Sequence, residues 1–316
     1  LMPAEVPVPD PGPGQVLVRQ SLAGVNFIDV YVRRGIYRRS ETYPNAPPFT
    51  PGMEGGGVVE KAGPGVDGLE PGDRVAYCLV LGSYAEFALV PAWRLVKVPG
   101  GVPMESAVTL MLQGSTAHYL ARSLFPLEAG MSCLVHAGAG GVGQLLTQVA
   151  RILGARVITT VSSAEKAELS RGLGAEAILY RDEDFAERVL EMTGGRGVDV
   201  VYDGVGQDTF LGSLKAVKRR GTVALFGGAS GAVAALDPLD LAEAGSVFLT
   251  RPHLWDYTYD AAEITRRAGD LFAWVADGRL RTTVDRLFPL TDARAAHDHL
   301  EAGLSRGKLL LETDRE

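Results

Sequence analysis

The residues with the clearest chemical use are glycines: Gly138, Gly140 and Gly143 form a G-x-G-x-x-G pattern directly after an apolar stretch. Glycine allows a tight turn, lets backbone N–H groups approach a pyrophosphate, and lets the next helix pack closely on the strand. The N-terminus of that helix adds partial positive charge. Among alternating strands and helices the pattern predicts a dinucleotide-binding loop, whereas in isolation it would fit a purely steric turn.

The end of the next predicted strand indicates which dinucleotide is bound. An NAD site usually has Asp or Glu there, about 20 residues after the glycines, to bind the ribose hydroxyls. Here the strand ends in Ser162 and Ser163, without a carboxylate at its tip. Glu165 is nearby, but the spacing from Ser162 to Glu165 is that of a capping box, which predicts that Glu165 turns back toward the helix cap and away from the ribose.

Cationic and hydroxyl side chains come soon after the ends of the second and third predicted strands. Lys166 lies one turn into the predicted helix, and Tyr180 and Arg181 follow the third strand. Together with the serines they could bind a 2′-phosphate. We therefore predict NADPH rather than NADH as the cofactor, although Lys166 also fits a solvated lysine on a helix surface.

Candidate catalytic groups lie near residue 30. A carbonyl acceptor reduced without a metal needs a hydrogen-bond donor near the oxygen that gains charge, and an apolar slot beside the cofactor ring. Asn26 and Tyr37 are the best donors, and Asp29 lies three residues from Asn26 on the same helix face, where it could orient either one. Tyr37 also fits a packing role in a turn, and Asp29 a surface or capping carboxylate.

The histidines are weaker candidates. His118 and His136 are predicted to be core or loop residues, and His253 could border the active site. His297 and His299 are predicted to be exposed on a helix near the C-terminus. No Ser/His/Asp arrangement is evident from the sequence, so hydrolase chemistry is not supported.

The composition excludes several classes of function. The 316 residues are 46% hydrophobic and 22% charged, which is globular and long enough for about two domains. A net charge of −7 argues against nucleic acid or an anionic membrane surface as a partner. No apolar run approaches the ~20 residues that span a bilayer.

The two cysteines, Cys78 and Cys133, cannot form a disulfide framework or a four-cysteine zinc site. A reducing compartment fits this usage, and we expect a cytoplasmic protein. The chain begins at Leu1 without an initiating Met, so we expect that some N-terminal sequence is missing.

Two patterns of elements position these groups. Short β-rich runs separated by Gly and Pro occupy the first hundred residues and predict a barrel or sandwich, interrupted by one helix over 26–35. After Gly101 strands alternate with amphipathic helices, which predicts a doubly wound parallel sheet. The predicted elements there include one long helix over 106–124, a glycine-loop helix over 143–153, a last strand over 246–250, and strand, helix and strand over 284–311.

Four stretches match a known family in the same order: 24–37, 138–143, 201–206 and 250–252. They resemble the zinc-free NADPH:quinone oxidoreductases, the zeta-crystallin-like branch of the medium-chain dehydrogenase/reductase superfamily. Ser162 departs from the pattern, because many members have Gly there. The resemblance implies an α/β fold in which a Rossmann doubly wound parallel sheet (113–252) is inserted in a GroES-like β-rich catalytic domain (1–112 and 253–316).

The same resemblance implies a homodimer joined through the edge strands of the Rossmann sheets, and a nicotinamide site between the two domains. Carried over position by position, the implied cofactor contacts are Asn26, Tyr31, Thr116, Ala139, Gly140, Gly141, Val142, Ser162, Lys166, Tyr180, Phe226, Gly227, Thr250, Arg251 and Lys308.

Zinc is not expected. Related alcohol dehydrogenases take a Cys from the region 26–29 and a His-Glu pair where this chain has Met53 and Glu54. Asn and Met are poor zinc ligands, and a four-Cys lobe is absent from the sequence.

Three functions remain open. The first is a metal-independent, NADPH-dependent reductase of quinones or related α,β-unsaturated carbonyls. The second is an enoyl-thioester reductase. Such an enzyme needs a basic entrance for the phosphates of its carrier, and the sequence offers only Arg33, Arg34, Arg38 and Arg39, a cluster that a solvated helix end also explains. The third is a non-catalytic structural or RNA-binding protein that holds a nucleotide, and the acidic charge balance argues against RNA.

Overall fold

The computed structural model describes residues 1–36 and 47–313, so the predicted donor Tyr37 lies outside the described residues. Thirteen strands are present in them. Their bounds are β1 Gln15–Val25, β2 Glu54–Ala62, β3 Arg74–Cys78, β4 Phe87–Pro91, β5 Val96–Lys97, β6 Ser132–Val135, β7 Arg156–Val161, β8 Glu176–Leu179, β9 Val198–Asp203, β10 Val217–Leu225, β11 Phe248–Thr250, β12 Val284–Pro289 and β13 Lys308–Glu312.

Ten α-helices accompany these strands within the same described residues. They are α1 Phe27–Arg33, α2 Met104–Thr109, α3 Ser115–Tyr119, α4 Gly141–Ile152, α5 Ala164–Gly172, α6 Phe185–Met192, α7 Phe210–Ala216, α8 Pro238–Glu243, α9 Ala261–Ala276 and α10 Ala293–Glu301. None of them has the length and the apolar character needed to cross a membrane.

The chain divides into two compact units. One comprises Leu1–Ser115 and Thr258–Glu316, and the other Thr116–Tyr257. We call them the β-rich unit and the nucleotide unit.

The β-rich unit is built on a seven-stranded sheet in the order β12-β13-β1-β2-β3-β5, with β4 also paired to β1. The pairs are antiparallel except β12 with β13. In β1 the register pairs Val25 with Leu309 and Ala23 with Gly55. The end of β1 is therefore flanked by the starts of β2 and β13, and residues 26, 54 and 308 come together there.

The nucleotide unit contains a six-stranded sheet in the order β11-β10-β9-β6-β7-β8, in which every pair is parallel. This is the strand order of Rossmann sheets, and it confirms the predicted fold class. Strands β6 and β9 are buried along their whole length, as expected when helices cover both faces. The direction in which successive strands are added to the sheet reverses between β6 and β9. Ligands of open α/β sheets bind at the carboxyl ends of the strands beside such a switch point.

The long helix predicted over 106–124 is not one α-helix. Helices α2 and α3 alternate with two π-helical segments, Leu110–Gly114 and Leu120–Leu124. The apolar periodicity that predicted the helix cannot distinguish these hydrogen-bonding patterns, and π-turns are frequent at functional sites.

Candidate active site

The glycine-rich loop follows β6 and leads directly into α4, two residues earlier than predicted. Gly140 is the N-cap, so Gly141, Val142 and Gly143 form the first turn of the helix. The N–H groups of a first helical turn have no acceptor within the helix and can bind an anion. Leu145, Leu146 and Val149 are buried, which fixes this helix against the sheet.

The loop needs glycine for steric reasons as well. A Cβ at Gly143 would overlap the carbonyl oxygen of Ala137, and one at Gly138 would lie 2.5 Å from Cβ of Thr159. Ala137 itself has a φ of 53°, in the left-handed region that non-glycine residues seldom occupy. The loop therefore has the close backbone packing that a pyrophosphate cradle requires.

The other predicted cofactor contacts of this unit lie where parallel strands end. Ser162 follows β7, Tyr180 follows β8, Phe226 and Gly227 follow β10, and Thr250 ends β11. Arg251 joins two of these ends, because its Nη1 donates to the carbonyl oxygen of Phe226 over 2.9 Å. Since carboxyl ends of parallel strands share one edge, the sheet brings these residues to the same side. Thr116 is buried in α3, at the start of the unit.

The helix after β7 begins one residue later than the capping-box argument required. Ser163 is the N-cap of α5, and its hydroxyl accepts the N–H of Lys166 over 3.3 Å. Glu165 is thus the second residue of the helix, and the predicted capping box from Ser162 to Glu165 is wrong. The reason is that Ser163, with φ −152° and ψ 159°, has the extended conformation of a cap. Selectivity for NADPH would then rest on Ser162 at the strand tip and on Lys166.

A buried hydrogen-bond chain runs below the glycine-rich loop. Thr160 Oγ1 lies 2.8 Å from His136 Nδ1, His136 Nε2 lies 3.0 Å from Ser213 Oγ, and Ser213 donates to Asp203 Oδ2 over 2.8 Å. All four residues are buried. Burial lowers the pKa of His136, which favours its neutral form.

This hydrogen-bond chain joins Ser, His and Asp side chains, an arrangement that was not evident from the sequence. Ser213 lies between His136 and Asp203, whereas a nucleophilic triad needs the histidine in the middle. Asp203 also accepts the N–H groups of Val205 and Gly206, each over 2.9 Å. The cluster therefore holds together the chain that follows β6 and the chain that follows β9.

In the β-rich unit, the junction of β1, β2 and β13 contains a buried polar cluster. Lys308 Nζ donates to Glu54 Oε2 over 2.5 Å and to Asn26 Oδ1 over 2.8 Å. Asn26 Nδ2 donates to the same Glu54 oxygen over 2.9 Å. Lys308 and Glu54 are fully buried. A Cβ at Gly24 would overlap the Glu54 carboxylate, so glycine at that position leaves space for the ion pair.

The first π-helical segment completes this cluster. The N–H of Leu112 donates to Glu54 Oε1 over 2.6 Å, and Gln113 Nε2 donates to Asn26 Oδ1 over 3.3 Å. Asn26 Nδ2 also lies 3.4 Å from the carbonyl oxygen of Gly24. The side-chain amide of Asn26 is thereby bound to neighbours on both its oxygen and its nitrogen.

Asp29 and Asn26 are close, as predicted from their spacing. Asp29 is buried in α1 and accepts the backbone N–H of Asn26 over 2.8 Å and the hydroxyl of Tyr84 over 3.0 Å. Burial raises the pKa of Asp29 to about 7, while the Asn26 N–H, Lys308 and Tyr84 act in the opposite direction and Glu54 adds to the rise. Tyr31, on the same helix, has its ring centroid 6.0 Å from that of Phe27.

The expectation that His297 and His299 are exposed is wrong for His297. His297 is fully buried in α10, where its Nε2 lies 3.0 Å from the hydroxyl of Tyr84 and its Nδ1 lies 3.2 Å from Arg33 Nη1. Burial and the nearby Arg33 lower the pKa of His297 to about 4, so the ring is neutral. His299 is partly buried, with Nε2 3.2 Å from Asp285.

Sequence reasoning missed Gln113, Tyr84 and His297 as parts of the polar network. Tyr84 and His297 are 213 positions apart, and no local spacing connects them. Glu54 and Asp203 were within stretches that the sequence singled out, but nothing in their spacing indicated their partners.

Comparison with known proteins agrees with this architecture. Residues 12–100 match the model of the alcohol dehydrogenase GroES-like domain, and residues 141–254 match that of the zinc-binding dehydrogenase domain. The solved quinone oxidoreductase of Escherichia coli, complexed with NADPH, is 38% identical and superposes with a TM-score of 0.94, covering 98% of this chain and 94% of that one. The chain belongs to the quinone oxidoreductase family of the medium-chain dehydrogenase/reductase superfamily.

Two further relatives extend the comparison. A 2-haloacrylate reductase of a Burkholderia species is 44% identical over 97% of this chain and 93% of its own length. A solved mycobacterial protein complexed with NADPH is 47% identical, with a TM-score of 0.93, over 98% of this chain and 94% of that one.

The name of the second matched domain model mentions zinc. Proteins bind zinc through Cys, His and carboxylate groups. Asn26 already accepts from Lys308, and Glu54 is paired with that ammonium, so an internal cation takes both oxygens. Within residues 1–36 and 47–313, no group of three or more His, Cys, Asp or Glu could hold a metal ion. These donors do not fit zinc, and zinc-independent chemistry stays a prediction.

Proposed function

We propose that this quinone oxidoreductase family member reduces quinones or related conjugated carbonyls with NADPH. The observation that supports this best is the end of β7, where Ser162 stands in place of the acidic residue of an NAD site. Two solved relatives that span nearly the whole chain are NADPH complexes. NADPH is accordingly the cofactor that we assign.

The nucleotide unit has the groups to hold this cofactor. The N–H groups at the start of α4 would bind the pyrophosphate, and Ser162 and Lys166 would bind the 2′-phosphate. When bound, NADPH supplies a hydride, and the protein's task is to orient the ring and exclude water. The contacts carried over to Asn26, Tyr31 and Lys308 in the β-rich unit are proposals of the same kind.

The acceptor class follows from what the named relatives share. One relative is a 2-haloacrylate reductase and another a quinone oxidoreductase. Both names describe an electron-poor C=C bond conjugated to a carbonyl or carboxyl group. Hydride addition to such a bond places negative charge on an oxygen, so one hydrogen-bond donor suffices and no metal is needed. We propose Tyr37 as this donor.

The residue type of Asn26 suggested that it donates a hydrogen bond to the substrate oxygen. We propose that it instead has a positioning role. Its Nδ2 hydrogens already face Glu54 and Gly24. Donation to a substrate would require one of these buried hydrogen bonds to break, and Glu54 Oε2 would then keep only its bond from Lys308. Asn26 therefore fixes the chain that precedes α1.

The test is a steady-state assay of NADPH oxidation with a panel of acceptors. The panel contains a 1,4-quinone, a 1,2-quinone, a small enone, 2-chloroacrylate and an enoyl-CoA, each with an enzyme-free control. We expect turnover with at least one quinone, enone or haloacrylate. Preference for enoyl-CoA would favour the thioester reductase instead, and rates equal to the enzyme-free control with every acceptor would contradict the proposal.

We also propose a homodimer joined through the outer edge of β11. This strand ends the six-stranded sheet, and Phe248 on it is 65% exposed. An exposed, apolar edge strand is a site for pairing with a second chain. Sedimentation of the wild type should give a dimer, and Phe248→Lys should shift it toward monomer. A monomeric wild type would contradict this assembly.

We also propose a cytoplasmic location. Cys78 and Cys133 are free and buried thiols, which suits a reducing compartment. Fractionation of the native host, with detection by a specific antibody, should place the protein with the cytoplasmic markers. Recovery with an oxidising compartment would contradict the assignment.

A further inference from the structure

Four side chains from three separate parts of the β-rich unit form one connected line of hydrogen bonds. Arg33 Nη1 meets His297 Nδ1, His297 Nε2 meets the Tyr84 hydroxyl, and Tyr84 meets Asp29 Oδ2. The line runs from α1 to α10, then to the chain before β4, and back to α1. We call it the Asp29 chain. Asp29, Tyr84 and His297 are buried, and Arg33 is partly exposed.

The hydrogen bonds of the Asp29 chain all run in one direction, from donor to acceptor. A guanidinium has only donors, so Arg33 must donate and His297 Nδ1 must accept. In the neutral imidazole the proton is then on Nε2, which donates to the oxygen of Tyr84. The only hydrogen of the Tyr84 hydroxyl is thereby left for Asp29. Every donor in the chain points toward this carboxylate.

The outer end of the chain is anchored. Arg33 Nη2 donates to Glu301 Oε2 over 2.5 Å, and Arg34 donates to the other oxygen of Glu301. Glu301 ends the same helix, α10, that contains His297. The edge-on packing of the His297 and Tyr84 rings, with centroids 5.7 Å apart, fixes the middle of the chain. Arg33 therefore cannot turn away without losing its carboxylate partner.

We propose that Tyr84, His297 and Arg33 are positioning residues that act on the reaction through Asp29, by fixing the orientation of its carboxylate and favouring its ionised form. This inference rests on the proposed function, because it concerns how the site is prepared for the reduction. Asp29 passes the orientation on, since it binds the N–H of Asn26, whose side chain binds Glu54 and Lys308.

Charge around Asp29 is otherwise balanced. Glu54 on β2 opposes its ionisation, and Lys308 on β13 favours it, but these two groups are paired with each other. Arg33 on α1 and Glu301 on α10 are likewise paired. The Asn26 N–H and the Tyr84 hydroxyl are thus the donors that touch Asp29 directly. Asp29 Oδ1 is buried without a hydrogen-bond partner and is the oxygen on which a proton would reside.

Substitutions in the Asp29 chain should therefore change the pKa of Asp29. Removing the Tyr84 hydroxyl should raise the pKa of Asp29 by about one unit, a tenfold change in proton affinity, because a hydrogen bond to the charged form is lost. Replacing His297 by Phe should have a smaller effect in the same direction, because Tyr84 loses the donor that orients it. His297→Gln keeps one acceptor and one donor, and should restore the wild-type behaviour in part.

The experiment is a carbon-13 NMR titration of protein labelled at the aspartate carboxyl, with the Asp29 signal assigned by its loss in Asp29→Asn. We compare Tyr84→Phe, His297→Phe and His297→Gln with the wild type. Tyr77→Phe is the matched control, because Tyr77 is also buried in the same unit but lies outside the Asp29 chain. This readout does not require turnover, so it is informative even if the acceptor assignment fails.

The same variants are then assayed for the pH dependence of kcat/KM with NADPH and the best acceptor. We expect the Asp29 midpoint and the acid limb of kcat/KM to move together to higher pH in Tyr84→Phe, with Tyr77→Phe unchanged. If the variants only lose thermal stability and the Asp29 midpoint stays in place, the chain is structural and the inference is wrong. If the midpoint moves while the kinetic limb does not, the link to the reaction is wrong. If Tyr84→Phe does not fold, the two His297 variants decide in the same way.

Discussion

The ammonium of Lys308 and the carboxylate of Glu54 form a fully buried ion pair, with 2.5 Å between Nζ and Oε2. Desolvation makes such a pair costly unless further hydrogen bonds satisfy both groups. Here Asn26 bridges the two, and Leu112 donates to the second carboxylate oxygen. The pair thereby connects β2, β13 and a π-helical segment at the point where α1 begins.

Removing one partner of this pair should be strongly destabilising. Lys308→Met should lower the free energy of unfolding by about 3–5 kcal/mol, because it leaves the Glu54 carboxylate buried and unpaired. Adding Glu54→Leu to Lys308→Met should recover part of the loss. Urea unfolding measures both. Lys97→Met is the control, because the Lys97–Asp73 pair is exposed and worth at most about 1 kcal/mol. Equal losses for the two lysine variants would contradict this account.

Asp29 and His297 should have opposite effects on stability as pH changes. The folded pKa of His297 is about 4 against an ordinary 6.5, so the unfolded chain binds its proton more readily and stability falls as pH drops from 6.5 to 4. The folded pKa of Asp29 is about 7 against 3.8, so the folded chain holds that proton more tightly and stability falls as pH rises from 3.8 to 7. At about 1.4 kcal/mol per pKa unit, the effect amounts to roughly 3–4 kcal/mol for His297 and roughly 4–5 kcal/mol for Asp29.

Single variants should therefore reveal each effect by removing the other. Relative to wild type, Asp29→Asn should become more stable as pH rises from 4 to 6.5, and His297→Gln should become less stable over the same interval. Thermal unfolding at half-unit pH steps checks this. Parallel curves for the wild type and both variants would show that neither group titrates across this range in the way its burial implies.

Part of the site follows from local sequence, and part does not. The glycine-rich loop and the parallel sheet were predictable, because tight turns and buried strands depend on neighbouring residues. The N-cap of α5 differed from the predicted cap by one position, because Ser162 and Ser163 are both good caps and only the backbone conformation selects Ser163. The burial of His297 was not predictable, since its partner Tyr84 comes from a distant part of the chain.

Cofactor choice should depend on Lys166. Lys166→Gln should raise the KM for NADPH about tenfold and leave the KM for NADH nearly unchanged, because an ammonium favours the extra phosphate by a charge-assisted bond. Lys61→Gln is the control, since Lys61 is an exposed lysine of the β-rich unit. Initial rates with each coenzyme measure the effect. An equal loss with both coenzymes would show that Lys166 has no role in selecting the phosphate.

An acid placed at the tip of β7 should reverse the preference. Ser162→Asp should lower kcat/KM for NADPH at least a hundredfold by repulsion from the 2′-phosphate, and should improve use of NADH through bonds to the ribose hydroxyls. The companion variant Glu165→Gln should leave both coenzymes unaffected, because the proposal gives Glu165 no part in binding. A larger effect from Glu165→Gln than from Ser162→Asp would show that Glu165, and not the position of Ser162, binds the adenosine ribose.

Tyr37 should affect turnover more than binding. Tyr37→Phe should lower kcat by about 10²-fold, with the Kd for NADPH within a factor of two, if the hydroxyl stabilises the oxygen that gains charge. Stopped-flow hydride transfer and a fluorescence titration of NADPH separate the two quantities. Unchanged kcat would return Tyr37 to a packing role.

The central claim, that a phosphorylated nicotinamide coenzyme binds on the glycine-rich loop, is tested most directly by a crystal structure of the protein grown with NADPH. The pyrophosphate should lie against the N–H groups of Gly141 and Val142, and the 2′-phosphate should contact Ser162 and Lys166. A loop without coenzyme at saturating NADPH, or an adenosine ribose bound by the Glu165 carboxylate, would contradict it.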